Sequence, residues 1–227
     1  MNDGDSELES FSGSVRLFPL PNLVMFPHVD QLLHIFEQRY RQMTADALGD
    51  DRLIATALLV DGSQAMAKGL PSIHSGVCIG RIIAEKELDD GRFLLMLRGL
   101  RRARILTETA SEVPYRTAQV QLIPDLVTLP PVELDDLRQR LANQILPRLS
   151  DPDSIEQLTE LFHDERPLGD VCDFLGYKLP LGLACKQKLL EEADVSVRAR
   201  ILLDELGTQL PSPTPETRRF PPDFSLN

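Results

Sequence analysis

The stretch Leu17-Phe18-Pro19-Leu20-Pro21-Asn22-Leu23-Val24-Met25-Phe26-Pro27, followed by His34-Ile35-Phe36-Glu37-Gln38-Arg39-Tyr40-Arg41, passes from strand to loop to helix. Val15 and Leu17 alternate with Arg16 and Phe18, the period of a short strand with two distinct faces. Pro21 and Pro27 bracket a segment that neither ladder nor helix can run through, so residues 22–30 read as a loop. That loop is expected to be packed by its own Leu23, Val24, Met25 and Phe26. Phe36, Tyr40, Met43 and Ala47 fall at i, i+4, i+7 and i+11, which predicts a helix with one core-facing stripe. Gly49-Asp50-Asp51 ends it.

Further strands follow. Leu53 to Val60 is an apolar run of strand length, and residues 62–75 read as a long loop. Val77 to Leu88 predicts an extended strand, turned by Asp89-Asp90-Gly91 into a return strand from Arg92 to Leu97. Gly99 interrupts that return, the mark of a bulge or a close backbone approach. Arg104 to Leu106 and Thr117 to Ile123 complete six or so short strands, enough for a small closed or half-closed barrel.

The pattern changes at Leu129-Pro130-Pro131. Leu134, Leu137, Leu141 and Ile145 predict an amphipathic helix with proline in its first turn. Four more helices are read from Ile155/Leu158/Phe162, Leu168/Val171/Cys172/Leu175, Leu183/Leu189/Leu190 and Val197/Ile201/Leu202/Leu206, with Gly207 as a stop. The expected organisation is an acidic disordered tail over residues 1–13, a β-rich unit with one helix over 14–128, a helical unit over 129–210, and a Pro-rich extended tail over 211–227.

Composition excludes several classes. With 24 Lys plus Arg against 35 Asp plus Glu, the net charge of -11 disfavours non-specific binding to nucleic acid or anionic membranes. Three cysteines without paired spacing give neither a disulfide framework nor a metal knuckle, which suits a reducing cytoplasm. The N-terminal residues are acidic rather than basic and apolar, so no secretory signal is read, and no apolar run approaches the ~20 residues of a membrane span.

The opening stretch resembles the start of the substrate-recognition domain of Lon-type ATP-dependent proteases. The likeness continues through Gly76-Val77-Cys78-Ile79-Gly80-Arg81-Ile82, Asp89-Asp90-Gly91-Arg92 and Gly99-Leu100-Arg101-Arg102-Ala103-Arg104. It extends to Pro114-Tyr115, Ala118-Gln119-Val120, Leu179-Pro180-Leu181 and Lys186-Gln187-Lys188-Leu189-Leu190-Glu191-Glu192, with Val195 and Arg198. Two positions depart from the family's pattern: His28 stands where a glycine is usual, and Gln38 where a proline is usual. The resemblance implies an α+β fold, a PUA-like β-rich pseudobarrel half followed by a helical bundle half.

Catalytic signatures are missing from the sequence. There is no Gly-x-x-x-x-Gly-Lys-Ser/Thr for nucleotide phosphates and no Gly-x-Ser-x-Gly elbow, so the chain is read as non-enzymatic and without a cofactor or metal. The four histidines form no ligand pattern, and His34 is expected as a packed histidine at the helix start. The carboxylate pairs Asp50-Asp51, Asp89-Asp90, Asp135-Asp136 and Glu191-Glu192 read as solvated caps and turns.

Two surfaces are candidates for binding. Leu23, Met25, Phe26, His28, Arg39 and Tyr40 would form a peptide-binding patch if part of the Pro-bounded loop stays exposed. Arg98, Arg101, Arg102 and Arg104 would form an anion site if no bulge breaks their alignment; the competing reading pairs them with the acidic surface and helical half. The function expected is recognition of peptides or partly unfolded proteins, as a substrate receptor or adaptor working with a separate protease or chaperone. The alternatives are an RNA-binding module through the arginines and a hydrolase with an unrecognised site.

Overall fold

The computed structural model describes residues 8, 11–60, 70–110, 112–163 and 166–209. Its first part holds β1 (Ser14–Leu20), β2 (Asp30–Ile35), α1 (Gln38–Leu48), β3 (Leu53–Leu59), β4 (Ile73–Glu87), β5 (Phe93–Thr109) and β6 (Arg116–Leu122). The helices α2 (Pro131–Ile145), α3 (Pro152–His163), α4 (Leu168–Lys178), α5 (Leu183–Glu191) and α6 (Val195–Gln209) follow. A 3₁₀ turn, Leu146–Arg148, extends α2. The Pro-rich segment 211–227 and most of the expected loop at 62–75 lie outside the described residues. Of the expected acidic tail, Leu8 and Phe11 pack against the barrel interior.

The strands run in the order β2-β5-β4-β3-β1-β6, and β6 also pairs with β5. That second pairing closes β5, β4, β3, β1 and β6 into a ring and leaves β2 outside it. Closure removes sheet edges, so the ring satisfies its own backbone. β1 lies parallel to β3, and the other pairs are antiparallel. β5 makes the arrangement possible: its 17 residues carry β2 on the first third and β6 on the last.

One bulge decides which side chains face which core. Gly80 pairs with Gly99 and Ile79 with Arg101, which leaves Leu100 as the extra residue. Before it, Phe93, Leu95 and Leu97 face the helices; after it, Leu100 and Ala103 fill the barrel interior. A one-residue slip reverses a strand's faces, and here it turns Arg102 toward the helical half. Gly99 is required by a second constraint as well. A Cβ there would lie 2.0 Å from the Phe26 carbonyl oxygen, where the loop is tied by His28 N–H to Gly99 O (2.8 Å) and Gly99 N–H to Val29 O (2.9 Å).

The barrel interior holds Val15, Leu17, Ala55, Val77, Ile79, Ala118 and Val120, the alternate positions of its strands. The larger core lies between the sheet's outer face and the helices and includes Phe26, Met43, Ile82, Leu141, Leu175 and Leu202. The linker after β6 is stitched to the start of α6: Leu126 N–H donates to Ala193 O (2.9 Å) and Val195 N–H to Leu126 O (3.0 Å). Asp194 caps α6 through the Ser196 N–H (2.8 Å) and accepts from the Thr128 hydroxyl (2.6 Å).

Several expectations are corrected. The segments 92–97 and 104–106 belong to one strand, and β2 is a strand the sequence reading passed over. Phe36 precedes α1 and is 61% exposed, so the buried stripe is Tyr40, Met43, Thr44 and Ala47. His34 is an exposed residue of β2 rather than a packed one at a helix start. The helix α6 runs through Gly207 to Gln209, and its inner face is Val195, Arg198, Ala199, Leu202 and Leu206.

Candidate functional site

A groove of about 490 Å³ opens where the C-terminal ends of β1, β3 and β5 meet the start of α1. Pro19, Pro21, Leu59, Leu70, Val113 and Pro114 supply apolar wall. Tyr40 and Tyr115, both buried, back it, and Glu37, Arg39, Glu108 and Arg116 stand among the lining residues. Tyr40 is fixed from behind by an edge-to-face contact with Phe18 (4.7 Å between ring centres). The Arg39 guanidinium lies 4.7 Å over the Tyr40 ring and also pairs with Glu37 at 2.7 Å. Tyr115 donates its hydroxyl to Asp46 of α1 (2.6 Å), and Arg116 ties the groove's far wall by donating to Glu108 and to the Pro71 carbonyl (2.7 Å each).

Burial pushes the Tyr40 phenol above its ordinary range, and burial together with the Asp46 hydrogen bond does the same for Tyr115. The groove offers apolar wall and a charged rim, backed by the two buried tyrosines. Among the described residues no cluster of His, Cys, Asp and Glu could hold a metal ion, and no helix is long and apolar enough to cross a membrane.

A second polar centre sits at the seam between barrel and helices. Arg102 of β5 reaches Asp125 and Asp173 (2.5 Å to the latter), and its Nε donates to Leu190 O (3.2 Å). Arg198 of α6, completely buried, binds the same two carboxylates, with 2.6 Å to Asp173. Burial alone would lower the Arg198 pKa, but Asp173 and Asp125 reverse it and hold the guanidinium above its ordinary range. Nearby, His28 Nε2 stands 3.7 Å from Asp170. Burial raises the Asp170 carboxyl, and His28 pulls the other way. The buried thiols of Cys78 and Cys172 are likewise pushed up by burial, Cys172 to about 12, so neither is a nucleophile at neutral pH.

The structure divides the expected site residues. Arg39 and Tyr40 line the groove. Met25 and Phe26 are fully buried in the larger core, and Leu23 packs against it, so the Pro-bounded loop is a core plug and the exposure that a peptide patch there required is absent. His28 lies on the seam, away from the groove's lining residues, with φ 61°. This left-handed backbone explains why glycine is usual at that position, since only glycine adopts it without strain. Gln38 opens α1 as its first helical residue, where proline is favoured but a free N–H costs little.

The four arginines form no shared patch. Arg98 is exposed and paired with Asp30 at 2.7 Å; Arg102 is buried in the seam; Arg104 faces solvent beyond the bulge; Arg101 is half-buried. The alignment that an anion site needs is broken at Leu100. Sequence reasoning missed the groove's other walls, which come from Pro19, Leu59, Val113 and Tyr115. Their only signal was proline flanking strand ends, and nothing local says that these ends converge.

Comparison with known proteins supplies the context. The family model described as the ATP-dependent protease La (LON) substrate-binding domain matches residues 14–208. The chain belongs to this family. Lon protease 2 of Myxococcus xanthus is 24% identical over 194 residues, covering 84% of this chain and 23% of that protein. A Lon protease of Azospirillum brasilense is 28% identical over 204 residues, covering 87% of this chain and 24% of its own. The chain thus spans about a quarter of the length of these Lon proteases. Among solved structures, the N-terminal domain of a Mycobacterium avium complex Lon protease matches with a TM-score of 0.69 at 19% identity, over 87% of this chain and 100% of that one. A Lon N-terminal domain protein from Xanthomonas campestris matches with a TM-score of 0.61 at 26% identity, over 84% and 97%. The Lon N-terminal fold accounts for both the ring of strands and the helices packed on it.

Proposed function

We propose that this domain recognises extended, apolar segments of polypeptide in the groove backed by Tyr40 and Tyr115, and acts as a non-catalytic substrate receptor. One observation carries the reading: an apolar cleft with a charged rim, backed by Tyr40 and Tyr115, in a chain of a substrate-binding family. Proline and aliphatic walls suit the side chains of an unfolded segment, while Glu37, Arg39, Glu108 and Arg116 can bond its exposed backbone. In this reading the bound client passes to a protease or chaperone in the cytoplasm.

Fluorescence anisotropy of a labelled, permanently unfolded polypeptide tests it, with the folded parent as control. Micromolar binding of the unfolded form alone is expected. Leu70→Glu, at a half-exposed wall position, should weaken it about tenfold, because one buried leucine contributes on the order of 1.5–3 kcal/mol. Equal binding of folded and unfolded forms, or none of either, would sink the proposal.

A further inference from the structure

We infer that the groove reads side chains rather than main chain and favours apolar segments rich in proline, an inference that rests on the groove being the polypeptide-binding site. An extended peptide commonly gains affinity by adding as a strand, exchanging N–H and C=O bonds with an open sheet edge. The backbone around the groove is poorly equipped for that. β1 ends here with an open side: its β6 partners stop at Leu17, while Leu20 still pairs with Leu58 of β3. Past Leu17 it reads Phe18-Pro19-Leu20-Pro21, and proline brings no N–H to a ladder. Pro71 and Pro114, also in the lining, lack one too.

Neighbouring backbone groups are already used. The Val60 N–H donates to Ser72 O (3.0 Å), and the Pro71 carbonyl accepts from Arg116 (2.7 Å). Glu108 and Thr109 of β5 are paired with Ala118 and Thr117 of β6.

The rim side chains are committed in the same sense. Arg39 donates to Glu37 through Nε and Nη2 (3.0 and 2.7 Å), and Arg116 forks onto both carboxylate oxygens of Glu108. The two carboxylates that could accept a client's N–H are therefore engaged, while Arg39 keeps Nη1 for a client's carbonyl. Proline matches this imbalance, because it carries a carbonyl and no N–H. A proline-bearing segment also has less freedom to lose on binding. It strands fewer N–H groups against the apolar wall of Leu59, Leu70 and Val113.

Three short labelled peptides test this by fluorescence anisotropy against the full chain. Each carries leucine and phenylalanine at alternate positions, spaced by alanine, by N-methylalanine or by proline, so that only the first keeps N–H groups at its spacers. The proline and N-methylalanine peptides are expected to bind at least as tightly as the alanine peptide. Leu70→Glu should weaken all three about tenfold while leaving the urea unfolding midpoint in place. Tighter binding of the alanine peptide than of either other means a strand-adding client, which overturns the inference and leaves the groove as the site. A proline peptide indifferent to Leu70→Glu binds elsewhere and also overturns it. If unfolded polypeptide binds and none of the three peptides does, the inference alone falls; if the polypeptide is not held either, the groove reading falls with it.

Discussion

The two cores lie back to back across one sheet, yet they are made differently. The barrel interior is built of small and medium apolar side chains: Ala55, Ala57, Ala103 and Ala118 stand beside Leu, Val and Ile. The larger core contains Phe26, Met25 and Phe162, and beside it two arginines and Asp173 are drawn out of water, with Asp125 at the partly exposed rim. A closed ring needs only side chains that fit, because its hydrogen-bond ladder fixes the geometry. The seam has no continuous ladder between barrel and helices. Its buried ions gain little net stability, since desolvation offsets much of their attraction. What they add is direction: β5, the linker at Asp125, α4 and α6 must meet at one point.

Breaking the ionic centre should therefore cost more than crowding the barrel. Asp173→Ala leaves Arg102 and Arg198 each short of a carboxylate and should lower the unfolding free energy by about 3–5 kcal/mol in urea titration. A loss below 1 kcal/mol would mean that the seam is held by apolar packing alone. Ala55→Leu overfills the barrel interior and should cost about 1–3 kcal/mol in the same assay.

The smallest effects sharpen the comparison through pH. Asp170, beside the seam, has its carboxyl raised above the ordinary 3.8 by burial, with Asp173 and Asp125 adding to that and His28 and Arg166 opposing it. Its protonation favours the folded state, so its contribution declines as pH rises through the raised value. Asp30, on the surface, is lowered by its hydrogen bond to Arg98; its contribution is present above 3.8 and lost as pH falls through the lowered value. Asp170→Asn and Asp30→Asn should change the slope of stability against pH in opposite senses, each by about 1 kcal/mol or less. Denaturation midpoints between pH 3 and 7 would show this, and slopes changing in the same sense would contradict it.

Much of the fold was legible because its signals are local. Asp89-Asp90-Gly91 announces its hairpin, and Gly91 has φ 76° with Leu88 N–H donating to Arg92 O at 2.8 Å. Pro131 opens α2 as the first-turn rule requires. Strand β2 was hidden because Phe36 lies four residues before Tyr40 and mimics a helical stripe. The burial of Arg198 and Arg102 was not legible, because it depends on carboxylates 25 and 71 residues away, although pairing of Arg102 with the helical half was one of the two readings weighed. The groove was the least legible part: its walls come from five separate chain segments, and two of the six expected peptide-binding residues, Arg39 and Tyr40, belong to it.

The ring's closure also sets a timetable. β1 pairs with β3 on one side and with β6 on the other, and the β6 partners of Ser14 to Leu17 are about a hundred residues further along. At roughly 5–20 residues per second, a ribosome leaves β1 without its second neighbour for roughly 5–20 s. For that interval the nascent chain carries an open, apolar strand that the finished protein never displays. A domain of a substrate-binding family thus passes, during its own birth, through an interval of open strand edges.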